Sequence, residues 1–106
     1  MAIVTVDGNA VERGPDGEIA LASGATMAMR LWRAEEPHAK QAHRSAYETL
    51  GYVISGRAEM TIEGQTTILL PGVSYLVPAH ADHTYRVLET FTAVECTALP
   101  PKHAAD

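Results

Sequence analysis

The segment Arg57-Ala58-Glu59-Met60-Thr61-Ile62-Glu63 alternates cleanly between apolar and polar residues, and no other stretch constrains the chain so tightly. Ala58, Met60 and Ile62 fall on one face of an extended backbone; Arg57, Glu59, Thr61 and Glu63 fall on the other. A period of two is that of a β-strand with one dry and one wet face. Gly64-Gln65 follows as a tight turn, Thr66 to Leu70 returns as a second strand, and Pro71-Gly72 ends it. Ser74 to Val77 is a short strand stopped at Pro78. His83 to Leu88 alternates again, with His83, Tyr85 and Val87 opposite Thr84, Arg86 and Leu88. Thr90 to Ala98 is an apolar closing strand, ended by Pro100-Pro101.

Upstream, Thr26 to Arg33 reads as a strand with Met27, Met29 and Leu31 on one face. Tyr47 to Ser55 is a longer strand, stopped at Gly56. Ile3 to Val6 is expected to be a short edge or exchanged strand. Asp7-Gly8-Asn9 and Gly14-Pro15-Asp16-Gly17 read as turns. Residues 35 to 46 hold Pro37 and no periodic pattern, which predicts a loop, and residues 102 to 106 are expected to fray. No segment carries a 3.6-residue apolar period. Many short strands punctuated by Gly and Pro predict an all-β sandwich or barrel. The edges of such a sheet need cover, and dimerisation through the N-terminal strand would supply it.

The length of 106 residues fits one domain spanning 1–106 with one modest core. The net charge is -5, and the two Lys and six Arg are scattered. Binding a phosphate backbone takes clustered cations, so nucleic acid is not an expected partner, and on the same ground neither is an anionic membrane surface. The start MAIVTVDGNAVERG lacks the basic and long apolar regions of a secretion signal. No run of about 18 apolar residues is present to span a bilayer. Cys96 is the sole cysteine, which forbids an internal disulfide. These features predict a cytoplasmic protein, with Cys96 a buried, unreactive thiol in the apolar run TAVECTA.

Two segments carry a family resemblance. The run from Gly72 to His83, GVSYLVPAHADH, resembles the second motif of the cupin family, in which Gly, five residues, Pro, one residue, Gly and two residues lead to a metal-binding His. Gly72, Pro78 and His83 keep the spacing; His80 stands at the second Gly, and Val87 where the family often has Asn. The run from His43 to Gly56, HRSAYETLGYVISG, resembles the first motif, which places two His one residue apart, then a Glu, then an apolar strand ending in Gly. Aligned on Gly56, His43 takes the first His position, Ser45 replaces the second, and Thr49 stands at the Glu. Glu48 comes one residue early, and a bulge would turn it inward. The resemblance covers roughly residues 26 to 98 and is to small, single-domain, RmlC-like bacterial cupins. It implies a cupin-type double-stranded β-helix, or jelly-roll, barrel.

The resemblance also implies a mononuclear metal site inside the barrel. His43 and His83, with Glu48, would form a two-His, one-carboxylate set for Fe, Mn, Ni, Cu or Zn. His38 or His80 could substitute from loops; otherwise they and His103 are solvated. Ser45, Tyr47, Thr49 and Tyr85 are candidate ligand-binding residues. Glu95 lies in an apolar strand and needs a partner such as Arg30 or Arg86, or else serves as an acid or base. Trp32 is expected to be a hydrophobic anchor. Two functions stay open. One is a metal-dependent enzyme acting on a small polar molecule, by chemistry that across cupins includes dioxygenation, isomerisation, decarboxylation and lyase reactions. The other is a metal-free module holding a small ligand through His43, Ser45, Thr49, His83 and Tyr85. No G-x-S-x-G elbow, phosphate-binding loop, dinucleotide fingerprint or C-x-x-C pair is present.

Overall fold

The computed structural model of the chain describes residues 2–98. Its regular structure is all β: β1 (Ile19–Ser23), β2 (Met27–Glu35), β3 (His38–Ala39), β4 (Thr49–Ile62), β5 (Gln65–Leu69), β6 (Ser74–Val77) and β7 (His83–Ala98). The strands follow the order β1-β2-β7-β4-β5, with β3 added to β7 and β6 to β4. Every pairing is antiparallel. Among the described residues no helix is long and apolar enough to cross a membrane.

The frame is the pair β4 and β7, joined from Thr49 opposite Thr97 to Ile62 opposite His83. Each of these strands unites two that the sequence pattern separates. The pattern stops a strand at Gly56, but β4 runs through it with shifts of register on either side. Thr49, Gly51 and Val53 are buried before the irregularity and Ala58 and Met60 after it, so the inward parity changes there. Gly56 sits at φ +85°, and a Cβ would lie 2.0 Å from the carbonyl oxygen of Thr90. Only glycine meets both demands, and the resulting bulge bends the ribbon around one core. That core draws Val53, Ala58 and Met60 from β4, Leu69 from β5, Tyr75 and Val77 from β6, and Val87, Phe91 and Ala93 from β7. Each large apolar side chain removed from water there contributes roughly 1.5–3 kcal/mol.

Other expectations need correction. The hairpin between β4 and β5 turns at Glu63-Gly64, both at positive φ, with Ile62 opposite Gln65; the sequence pattern placed it one residue later. β1 has no counterpart in the sequence reading, because IALAS neither alternates nor is rich in β-branched residues. Residues 35–46 are more than a loop: β3 pairs with β7, and His43 bridges to His83. Ile3 to Val6 forms no strand among the described residues, and Ile3 and Val4 are exposed. The expected turns at Asp7–Asn9 and Gly14–Gly17 are present, each closed by a backbone hydrogen bond. Pro100-Pro101, His103 and the tail lie outside the described residues.

Cys96 is exposed, contrary to the expected burial. The inward residues of this part of β7 are Phe91, Ala93, Glu95 and Thr97, so Cys96 falls on the outer face. There it lies in register with Met29 on β2 and Leu50 on β4, which is in turn opposite Leu76 on β6. This outer row is itself apolar and exposed, which makes TAVECTA look buried on both sides.

Candidate functional site

One row across four strands builds the floor of a cavity. Arg30 on β2 is opposite Glu95 on β7, Glu95 is opposite Gly51 on β4, and Gly51 is opposite Tyr75 on β6. Directly opposed residues of an antiparallel sheet share a face, so all four point inward. Gly51 has no side chain, and the Tyr75 ring occupies that space: a Cβ on Gly51 would meet Tyr75 Cζ at 2.1 Å. Tyr75 thereby reaches Glu95, and its hydroxyl donates to Oε2 at 2.6 Å.

Glu95 is 1% exposed and gathers four donors. Arg30 Nε and Trp32 Nε1 donate to Oε1 at 2.9 and 2.8 Å. Tyr75 and Tyr85 donate to Oε2 at 2.6 and 3.3 Å. A carboxylate at such depth is tolerated because it is paired and fully hydrogen-bonded. Among the described residues no buried side-chain nitrogen or oxygen lacks a partner. The structure thus selects the structural pairing of Glu95 and chooses Arg30 over Arg86. Burial raises the pKa of Tyr75 and of Tyr85, and the neighbouring Glu95 charge adds to the rise. For Arg30 burial works downward, but the charge and hydrogen bond of Glu95 outweigh it and the net shift is upward. The phenols remain neutral and the guanidinium charged at physiological pH.

Above this floor lies a cavity of about 590 Å³. Its inner wall is His83, Tyr85, Val87 and Phe91 of β7, which follow the odd-numbered parity of the strand. His38, Gln41, His43 and Arg44 line it from exposed positions along the β3 segment, and Asp16 approaches from the turn before β1. Lys40 Nζ stands 4.0 Å from the Trp32 ring centroid, a cation held on an aromatic face. Trp32 is therefore a polar hub as well as an anchor. Glu35, also in the wall, is ion-paired with Arg13 at 3.0 Å.

His43 and His83 exchange both backbone hydrogen bonds at 3.0 Å, which sets their rings 4.3 Å apart at a tilt of 56°. His83 is buried, and its Nδ1 lies 3.0 Å from the Ala81 carbonyl oxygen. A carbonyl only accepts, so Nδ1 is the donor in this contact, and in the tautomer it selects Nε2 is the ring's acceptor. The same ring forms a T-shaped pair with that of Tyr85, centroids 6.0 Å apart.

Of the residues singled out from sequence, His43, His83 and Tyr85 line the cavity together. Glu48 does not join them: it is exposed, while its neighbour Thr49 takes the inward position at the start of β4. Thr49 lies opposite the buried Thr97, one inward row beyond Glu95 and outside the cavity lining. Ser45 is buried and its carbonyl accepts from His80 N–H at 2.7 Å. Tyr47 is half-buried, near enough to Arg30 to act on its charge, and neither it nor Ser45 lines the cavity. His38 and His80 are exposed, and only His38 reaches the cavity rim. Lys40 and Tyr75 are lining residues absent from the sequence reading. The alternation of β6 marks Tyr75 as inward, and Gly51 marks where a large side chain crosses.

A family model for the cupin domain matches residues 31–98. The chain belongs to the cupin family. Among solved structures, an RmlC-like cupin from Shewanella frigidimarina NCIMB 400 superposes with a TM-score of 0.80 at 17% identity, over 92% of this chain and 91% of that one. A cupin superfamily protein from Desulfitobacterium hafniense DCB-2 gives 0.71 at 23% identity, over 78% and 76%. KdgF from Halomonas sp. gives 0.70 at 19%, over 76% and 77%. At these identities the likeness is one of fold. No curated protein matches the sequence.

Membership raises the question of a metal, and the donor set answers it. His43 and His83 provide two imidazoles. At the positions of the family's other His and its Glu stand Ser45 and Thr49, whose hydroxyls stay protonated near neutrality and are poor partners for a transition metal. Among the described residues no three of His, Cys, Asp and Glu are grouped to hold an ion. Protein sites for such metals take three or four ligands, so the residues present do not fit one.

Proposed function

We propose that this cupin binds a small polar molecule in its cavity through side-chain hydrogen bonds, without a metal ion. The observation that carries the reading is the polar floor built around Glu95 beneath the His43–His83 pair, in a cavity of about 590 Å³. That volume falls in the range of small-molecule sites, and the lining combines apolar walls at Val87 and Phe91 with a few fixed polar groups. A satisfied buried network is rigid, so the wall groups it positions are ordered before a ligand arrives. The metal-free reading accounts for Ser45 and Thr49 as buried hydroxyl residues rather than as missing ligands.

Elemental analysis of protein purified without an affinity tag tests this reading, alongside a chelated and re-metallated sample. Substoichiometric metal that is indifferent to His43→Ala and His83→Ala is the expected result. One equivalent of a single transition metal, lost in both variants, would overturn it and restore the set of His43, His83 and Glu48.

A further inference from the structure

Building on that binding-site reading, we infer that the ligand is a polyhydroxylated carboxylate, with hydroxyl groups donating to Tyr85 and His83 on the inner wall and its acid group at the mouth beside Lys40 and Arg44.

Hydrogen-bond polarity carries the first half. A carboxylate can only accept, so each of the four groups around Glu95 turns a hydrogen toward it. Tyr85 has one hydroxyl hydrogen, and Glu95 takes it. The phenol oxygen is then left with acceptor capacity on a side chain that lines the cavity. His83 is constrained in the same sense, because its Nδ1–H faces the Ala81 carbonyl and the lone pair stays on Nε2. Two neighbouring wall groups therefore accept. A carbonyl or carboxylate pressed against them would set lone pair against lone pair and lose its water without replacement. A hydroxyl would donate.

Charge carries the second half. Arg30 is engaged with Glu95 at the floor, and Glu35 with Arg13. Arg44 is only loosely paired, at 3.9 Å from Asp82, with most of its side chain in solvent. Lys40 is held over Trp32. Against these two cations the rim sets one further carboxylate, the exposed Asp16. The mouth thus donates and the interior accepts, which fits an acid group joined to hydroxyls and fits neither chemistry alone.

Three probes of similar length separate the parts when NMR shift mapping follows their binding: gluconate, sorbitol and hexanoate. Gluconate is expected to bind about tenfold tighter than either of the others, the worth of one hydrogen-bonded contact. Tyr85→Phe should erase the advantage over hexanoate, and Lys40→Gln the advantage over sorbitol. Glu95→Gln places an amide donor on the two phenol oxygens and turns their hydrogens toward the cavity, so hexanoate should gain on gluconate. Hexanoate binding as tightly as gluconate, or a preference that survives Tyr85→Phe, would overturn the ligand class and leave the binding cavity standing. No shift at Tyr85, His83 or Phe91 with any probe would overturn both.

Discussion

Tyr75 crosses the bare backbone of Gly51 to donate its hydroxyl to Glu95, at 2.6 Å from Oε2. The contact joins β6 to β7 although β4 lies between them, and it depends on one missing Cβ. Gly51→Ala would set that atom 2.1 Å from Tyr75 Cζ. The ring has to move, and the 2.6 Å bond goes with it. The expected cost is about 2 kcal/mol of folding stability, the range of an overpacked core. Urea unfolding of a double-mutant cycle measures it. In a Tyr75→Ala background the same Gly51→Ala change should cost little. An equal cost in both backgrounds would mean that Gly51 is needed for some reason other than the ring.

Glu95 is 1% exposed and Arg30 keeps 30% of its side chain in solvent. Glu95→Gln removes the charge that compensates Arg30 and presents an amide donor to groups that already donate. Breaking a buried pair from one side costs about 3–5 kcal/mol, and the partial exposure of Arg30 places this case near 3 kcal/mol. Arg30→Met in addition should return part of the loss, because no unpaired charge is then left inside. A double variant less stable than Glu95→Gln alone would contradict this account. Chemical denaturation of the three proteins decides it.

The inward set of His83, Tyr85 and Val87 was legible in the sequence because parity along a strand is a local property. So was the face of Ala58, Met60 and Ile62, and so were the spacings of Gly72, Pro78 and His83 that carry the cupin resemblance. What could not be read was set by distant partners. A glycine between two alternating runs ends a strand or bulges it, and only the approach of Thr90 to Gly56 decides between the two. Three of the four donors of Glu95 come from two other strands, at sequence separations of 65, 63 and 20 residues, and the fourth from 10 residues away in its own strand. Arg30 was foreseeable as a partner only by charge. Glu48 and Thr49 differ by one residue, and a single step of register sends one outward and the other in.

Cys96 lies on the outer face of β7, not in the core. Its thiol should therefore react with a soluble disulfide reagent in the native state, without waiting for unfolding. The measurement compares the labelling rate in buffer with that in urea after correction for the reagent's own urea dependence. Comparable rates are expected. Protection by orders of magnitude in buffer would mean that the outer apolar row of Met29, Leu50 and Leu76 is covered in solution.

The phenols of Tyr75 and Tyr85 are pushed upward, first by burial and then by the Glu95 carboxylate. In the unfolded chain a tyrosine titrates at about pH 10. Below that value both states hold the proton, and the stability due to the buried phenols is fully present. Above it the unfolded chain releases protons that the folded protein keeps, so stability falls as pH rises toward the higher folded values. Each phenol contributes at most about 1.4 kcal/mol per pH unit to that fall. Urea midpoints taken on both sides of about pH 10 should therefore drop on the alkaline side. Tyr75→Phe should start from lower stability at neutral pH, because the bond to Glu95 is lost, yet fall less steeply in alkali. An ultraviolet titration should show part of the phenol signal appearing only together with loss of fold. An alkaline slope unchanged in both Tyr75→Phe and Tyr85→Phe would show that other groups, and not this buried pair, govern the high-pH limit.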